Sequence, residues 1–335
     1  MDSVTQLLLG AATGQAALGR TVGRRALLWG AALGTLPDLD VFFPWSDPIA
    51  AFTEHRGFSH SIFVLAALVP VCAAVAVRLH PDTRAARAGW QRLAALVLGT
   101  HVLLDCFTVY GTQVFWPLAW APESWSTVFV VDPAYTVPLA LGVLGAGYWA
   151  VRRPAAAHRI NGWGLALSTA YLLWTCGAKA MVEGVVARDL ARRGLEARAV
   201  LTTPTPLNSL LWRIVVLDGD AWLEGYHSLL ADSDAVAWTR HERGAALLAA
   251  MAEDPRVDRL EWFTHGFLDA VVEQDSVVVR DLRMGASPRF AFRFALGTVG
   301  AGGFEPTSAR QLPSGFSVDD VLHTLDRVFA SGTPR

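Results

Sequence analysis

Lysine is almost absent: the 335 residues contain one, Lys179. Charge as a whole is scarce, with Asp, Glu, Lys and Arg making up 17% against roughly 25% in a typical soluble domain. That shortage, with a formal net charge of -2, excludes a nucleic-acid binder with a basic face. A hydrophobic share of 53% and a mean hydropathy of +0.34 exclude a disordered chain. Cysteine is sparse too. Cys72, Cys106 and Cys176 lie in apolar runs without metal-finger spacing, which fits small core residues better than a disulfide framework or a zinc knuckle. No cationic stretch opens the chain, whose first charged side chain is Asp2, so no cleaved signal peptide is expected.

The scarcity of charge is uneven. Residues 1–183 hold 12 basic and 10 acidic residues, about 12% charged, whereas 184–335 hold 16 and 20, about 24%, the ordinary soluble value. The change of composition reads as a change of solvent: a membrane-embedded domain over 1–183 and a soluble domain over 184–335.

Apolar runs at 61–79, 93–109, 127–151 and 163–183 approach the roughly 17–25 residues that span a bilayer. Shorter Ala- and Gly-rich runs at 4–19 and 26–36 suit close helix packing. Together they predict an α-helical membrane bundle of about six embedded helices. Ten of the 12 basic residues of this half fall in three connections: Arg20, Arg24 and Arg25; Arg78, Arg84, Arg87 and Arg92; Arg152, Arg153 and Arg159. By the positive-inside rule these are cytoplasmic, which with six crossings turns the loops 37–60 and 110–126 outward. Trp116, Trp120 and Trp125 then mark the outer interface.

The polar residues of this half cluster by depth. Asp38 and Asp40 follow the second run in LPDLD; Glu54, His55, Arg56 and His60 precede the third in EHRGFSHS; His101 and Asp105 lie four residues apart, on one face of a helix. Three sequence-distant segments converge at one end of the predicted bundle. Asp38, Asp40, His55, His60, His101 and Asp105 offer oxygen and nitrogen donors suited to a divalent metal, zinc first, with manganese or iron as alternatives. Six candidates leave room for one ion or two. The competing reading is a buried polar network that only holds helices together; ionisable residues so close to hydrocarbon favour function. Arg56 either stabilises charge on an attacked phosphoryl group or neutralises a neighbouring carboxylate. Glu54 is a candidate base beside the metal or a solvated loop charge. Lys179 and Glu183, one turn apart, read as a pair reaching for water.

These motifs resemble the membrane-bound metal-dependent hydrolase family of bacteria. The likeness rests on 1–10 (MDSVTQLLLG), LPDLD at 36–40, HRGFSHS at 55–61, HVLLD at 101–105, TVYG at 108–111 and FWP at 115–117. The stretches PTPLNSLLWR and VVVRDLRMG extend it toward the C-terminus. Many members carry a His in the first helix where this chain has Gln6. The resemblance implies a multi-pass protein of the bacterial inner membrane that hydrolyses its substrate with a metal-activated water. HxxxD also occurs in zinc-dependent phospholipase C enzymes, which points to a lipid or lipid-linked phosphoester and to the bilayer as partner. The runner-up is a non-catalytic metal sensor or scaffold whose soluble domain binds a protein.

The soluble half shows no comparable constellation. Strand-like runs at 210–217 and 221–229 flank Asp218-Gly219, a hairpin turn signal. Further strands are expected at 263–272, 276–282 and 289–296, with helices near 241–252 and 318–329. The expectation is an α+β domain with an antiparallel sheet.

Overall fold

A computed structural model describes residues 1–232, 234–300, 303–315 and 318–330. The chain divides into two units. The first comprises 1–43, 55–125 and 130–175; the second comprises 44–54, 126–129 and 176–335.

The first unit is helical. It holds α1 (Ser3–Val22), α2 (Arg24–Thr35), α4 (Ile62–Leu79), α5 (Arg87–Cys106), α6 (Pro133–Trp149) and the first part of α7 (Pro154–Arg193); α3 (Pro48–Glu54) belongs to the second unit. Asp2 caps α1 by accepting from the Val4 and Thr5 backbone N–H groups, and Asp132 caps α6 through Ala134. Glycines let α1 and α2 touch backbone to backbone: a Cβ on Gly10 would lie 2.3 Å from the Gly30 carbonyl oxygen. Trp90, Leu93, Ala94 and Val97 of α5 pack with Leu18, Ala26, Leu33 and Ala73 into a closed core. Asn161 of α7 donates to the Ala12 carbonyl at 2.8 Å, and Ser168 to that of Tyr135 at 2.7 Å.

The expected bundle of six embedded helices is not what the chain forms. Two helices, Ile62–Leu79 and Pro154–Arg193, are long and apolar enough to cross a membrane among the described residues. The physical reason lies in the other four. α2 has 12 residues and α6 has 17, about 18 and 26 Å of helix against a hydrocarbon core of about 30 Å. α1 carries Gln6, Gln15 and Arg20, and α5 carries Arg87, Gln91, Arg92, His101 and Asp105. Over half of α1 and of α5 is buried against neighbouring helices. The inside–outside assignment, which counted six crossings, falls with them, and so does the multi-pass arrangement. α4 is the opposite case: only 22% of it is buried, and Phe63, Val71, Val75 and Leu79 are exposed.

The second unit is built on antiparallel sheets. β1 (Ala199–Pro204), β2 (Leu211–Asp218), β3 (Ala221–Ser228) and β4 (Ala237–Glu242) form a meander. After α8 (Ala245–Ala250) and α9 (Pro255–Thr264) come β5 (Leu268–Glu273), β6 (Ser276–Asp281), the short pair β7 (Gly285–Ala286) and β8 (Arg289–Phe290), β9 (Arg293–Gly300), β10 (Gly303–Gln311) and α10 (Val318–Asp326). The second sheet has the order β10-β9-β6-β5. The expected hairpin forms, with Asp218 paired to Ala221 and Gly219 at φ 58°. Expected strand 263–272 is shortened at its start, because α9 continues to Thr264 before β5 begins. β2 is buried on both faces. Trp212, Ile214 and Val216 meet Val182, Val186 and Leu190 of α7, while Val215 and Leu217 meet Phe267, Leu282 and Phe290. Phe52 of α3 packs on Phe263, Phe292 and Phe294.

Candidate metal centre

Three segments of the first unit supply the site. A 3-10 turn, Pro37–Phe42, follows α2 and carries Asp38 and Asp40. A second short turn, Phe58–His60, sets His60 just before α4, whose N-cap is Ser61. His101 and Asp105 project from one face of α5. Ligand atoms of Asp38, His60, His101 and Asp105 all lie within 4.8 Å of one another. His60 Nε2 is 3.1 Å from His101 Nε2, 3.1 Å from Asp105 Oδ2 and 3.5 Å from Asp38 Oδ1. His101 Nε2 lies 3.4 Å from Asp105 Oδ2 and 3.6 Å from Asp38 Oδ1. His60, His101 and Asp105 are buried, and Asp38 is 13% exposed.

Hydrogen bonds on the far side of each ring decide what the cluster holds. His101 Nδ1 lies 2.8 Å from the Gly34 carbonyl oxygen, which only accepts, so this nitrogen carries the proton. Ser59 Oγ donates to Asp40 Oδ2 at 2.6 Å and lies 2.9 Å from His60 Nδ1, so His60 donates to Ser59 in turn. With both rings neutral, each Nε2 is therefore a lone pair facing the other and two carboxylate oxygens. Four electron-rich atoms then converge, and either a proton on His60 or a metal cation between them reconciles them. Orientation of ligating imidazoles by a carbonyl or hydroxyl on the other nitrogen is the usual outer support of a metal site. Asp38 Oδ2 is buried and finds no donor among the described residues. The residues present fit a divalent cation.

Electrostatics agree. Burial pushes the Asp38 carboxyl up, but in the metal-free site the His101 and His60 imidazoles beside it, when protonated toward it, outweigh that and hold Asp38 below the usual carboxylate range. Burial likewise depresses His60, yet Asp105 and Asp38 raise it above an ordinary histidine. The cluster attracts positive charge at its centre.

Asp40 and His55 stand beside this group as a pair of their own. His55 Nδ1 is 2.7 Å from Asp40 Oδ1, and Asp40 Oδ2 also accepts from the Arg56 backbone N–H at 3.0 Å. Asp40 lies 3.9 Å from His60 Nδ1. Arg56 sits in the left-handed region at φ 63°, a strained conformation for a branchless but bulky side chain. It turns its guanidinium inward, 3.2 Å from Asp105 Oδ1, 3.1 Å from Thr108 Oγ1 and over the Tyr110 ring. Asp105 Oδ1 also accepts from Gln6 Nε2 at 2.9 Å and from the Met1 amine. Glu54 belongs to the second unit, where Arg259 binds it at 2.7 Å. Lys179 meets Glu183 at 3.2 Å and donates to the Thr202 carbonyl at 2.8 Å.

Sequence reasoning missed Ser59 as the link between Asp40 and His60. Its signal was present, a hydroxyl residue directly before a candidate ligand. It also understated Gln6, which touches the site through Asp105.

Helices closing over a buried His/Asp centre define the class: a helical unit with a candidate metal site. The chain belongs to the YdjM inner membrane protein family, whose model matches residues 1–182. It is also 30% identical over 126 residues to a protein of Bacillus subtilis (strain 168) named uncharacterized protein YfhP. That match covers 36% of this chain and 38% of the relative, well short of two thirds of the relative's length. No solved structure matches.

Proposed function

We propose that this protein is a metal-dependent hydrolase of the inner membrane acting on a lipid or lipid-linked phosphoester. The observation that carries the reading is the convergence of Asp38, His60, His101 and Asp105 around two imidazole nitrogens 3.1 Å apart. Their compactness suits a single ion, and nitrogen and oxygen donors without thiolate suit zinc, manganese or iron. A divalent cation bound there would supply Lewis acidity and acidify a water.

The remaining work falls to the chain's own residues. The Gly34 carbonyl and Ser59 hold the two imidazoles in the ligating tautomer. Asp40 orients His55 through Nδ1, leaving its Nε2 to accept or release a proton. Arg56 braces Asp105 and supplies positive charge beside the centre. Asp38 is the partly exposed member, and substrate would approach from its side.

A chelation test on full-length protein in mixed lipid–detergent micelles decides the matter. Phosphomonoester and phosphodiester lipids should be turned over, with activity lost on metal removal and restored by zinc or manganese. Arg56→Lys keeps the charge but not the planar fork and should retain metal with reduced turnover. Equal turnover with and without metal contradicts the reading. The burial of His60, His101 and Asp105 supports a second reading, a non-catalytic metal sensor or scaffold. A metal shell closed by protein ligands alone, with no lipid phosphoester cleaved, would favour it.

A further inference from the structure

We propose that the connection between α4 and α5 forms a binding pocket for the phosphate headgroup of an anionic phospholipid. The inference is independent of the hydrolase reading. Arg78, Arg84 and Arg87 surround a cavity of about 350 Å³ whose floor is Ala74, Val77 and Pro81. Arg78 is in the last turn of α4, a helix long and apolar enough to cross the bilayer, so the pocket lies where the hydrocarbon ends and headgroups begin. The apolar floor is continuous with the exposed apolar surface of α4, where Val71 and Val75 lie.

The pocket is pre-shaped. Trp90 Nε1 donates to Thr83 Oγ1 at 2.9 Å, and Thr83 donates to the His80 carbonyl at 2.8 Å. Trp29 Nε1 donates to His80 Nε2 at 3.0 Å, and the His80 ring stacks on Trp90. These bonds fix the 3-10 turn Pro81–Ala86 between the two helices. The one carboxylate of the turn, Asp82, is bound by Arg25 at 2.5 Å. None of Arg78, Arg84 and Arg87 has a side-chain hydrogen bond or ion pair among the described residues. The last ingredient is α5, a helix of 20 residues whose positive end starts at Arg87 and whose N-cap, Ala86, provides no side-chain acceptor. Three unpaired cations, a helix N-terminus and an apolar floor complement one anionic headgroup and its acyl chain.

The experiment is native mass spectrometry of the full-length protein equilibrated with micelles containing phosphatidylglycerol and phosphatidylcholine in equal amounts. The wild type should retain phosphatidylglycerol preferentially. Each of Arg78→Gln, Arg84→Gln and Arg87→Gln should weaken that retention about fivefold, the effect of one basic residue near an anionic surface. The triple variant should abolish the preference. A matched triple variant at exposed positions elsewhere, Arg20→Gln, Arg152→Gln and Arg159→Gln, should change it less than twofold. Equal losses in both triple variants would overturn the pocket in favour of diffuse surface attraction. Inorganic phosphate at millimolar concentration should not displace the lipid. Displacement would overturn the lipid assignment, because the ligand would then be free phosphate. A melting temperature within a few degrees of wild type for each Gln variant confirms that lost retention is not lost folding.

Discussion

Ser59 ties two parts of the site together, accepting from His60 Nδ1 and donating to Asp40, so its hydroxyl sets the direction in which His60 Nε2 points. Ser59→Ala should weaken metal affinity about 10–100-fold, the usual cost of losing an outer partner of a ligand. Competition against a chromophoric chelator measures this, and unchanged affinity would show that His60 is oriented by packing alone. Arg56 offers a second test. Its guanidinium is buried on Asp105, which Gln6 and the Met1 amine also serve, so Arg56→Ala removes one charged partner of several and should cost about 1.5–3 kcal/mol of stability, read from thermal unfolding of metal-free protein. A loss under 1 kcal/mol would mean that Gln6 and the Met1 amine serve Asp105 without it. His101 and Asp105 were legible in the sequence because spacing of four residues fixes one helical face. The separation of Asp40 and His55 from the four clustered residues was not. A type and a spacing show that a side chain can ligate, whereas the choice between ligating and pairing with a neighbour depends on turn geometry, here the left-handed turn at Arg56.

Helix α1, which brings Gln6 to Asp105, packs close against α2. Gly30→Ala would place a methyl 2.2 Å from the Gly10 carbonyl oxygen, on backbone that cannot yield cheaply. About 1–3 kcal/mol of destabilisation is expected, whereas Gly99→Ala, which meets nothing within 4 Å, should be neutral or stabilising. Equal melting temperatures for the two variants would refute this packing. In the second unit, Arg213 of β2 binds Glu224 of β3 at 2.6 Å, both buried. Burial pushes the Glu224 carboxyl up, but Arg213 outweighs it and holds it below the usual range. A depressed carboxylate stabilises fully above its unfolded value of about 4.3 and loses that contribution as pH falls through the folded value. Hydrogen-exchange protection across β2 and β3 should therefore drop below about pH 4 in wild type, and the drop should be shallower in Glu224→Gln. The hairpin at Asp218-Gly219 was legible because its turn demands positive φ. The number of helices fit to cross a membrane was not, because an apolar run looks the same whether it stays exposed, as in α4, or packs on another helix, as in much of α1 and α5.

Over the whole molecule, composition separates a charge-poor first half from an ordinary second half, and the folded chain gives a helical unit and a sheet-built unit. The inner-membrane family match is confined to residues 1–182. Every residue of the four-member cluster lies inside it, as do α4 and the arginines at its end. The account rests on that cluster being a cation site. Its most direct test is the metal stoichiometry of the purified full-length protein and of His60→Ala and His101→Ala, by inductively coupled plasma mass spectrometry. The account predicts about one tightly held divalent ion per chain in wild type, by analogy with compact four-donor sites, and close to none in either folded variant. Wild-type protein that binds no divalent ion, or variants that keep a full complement, would contradict it.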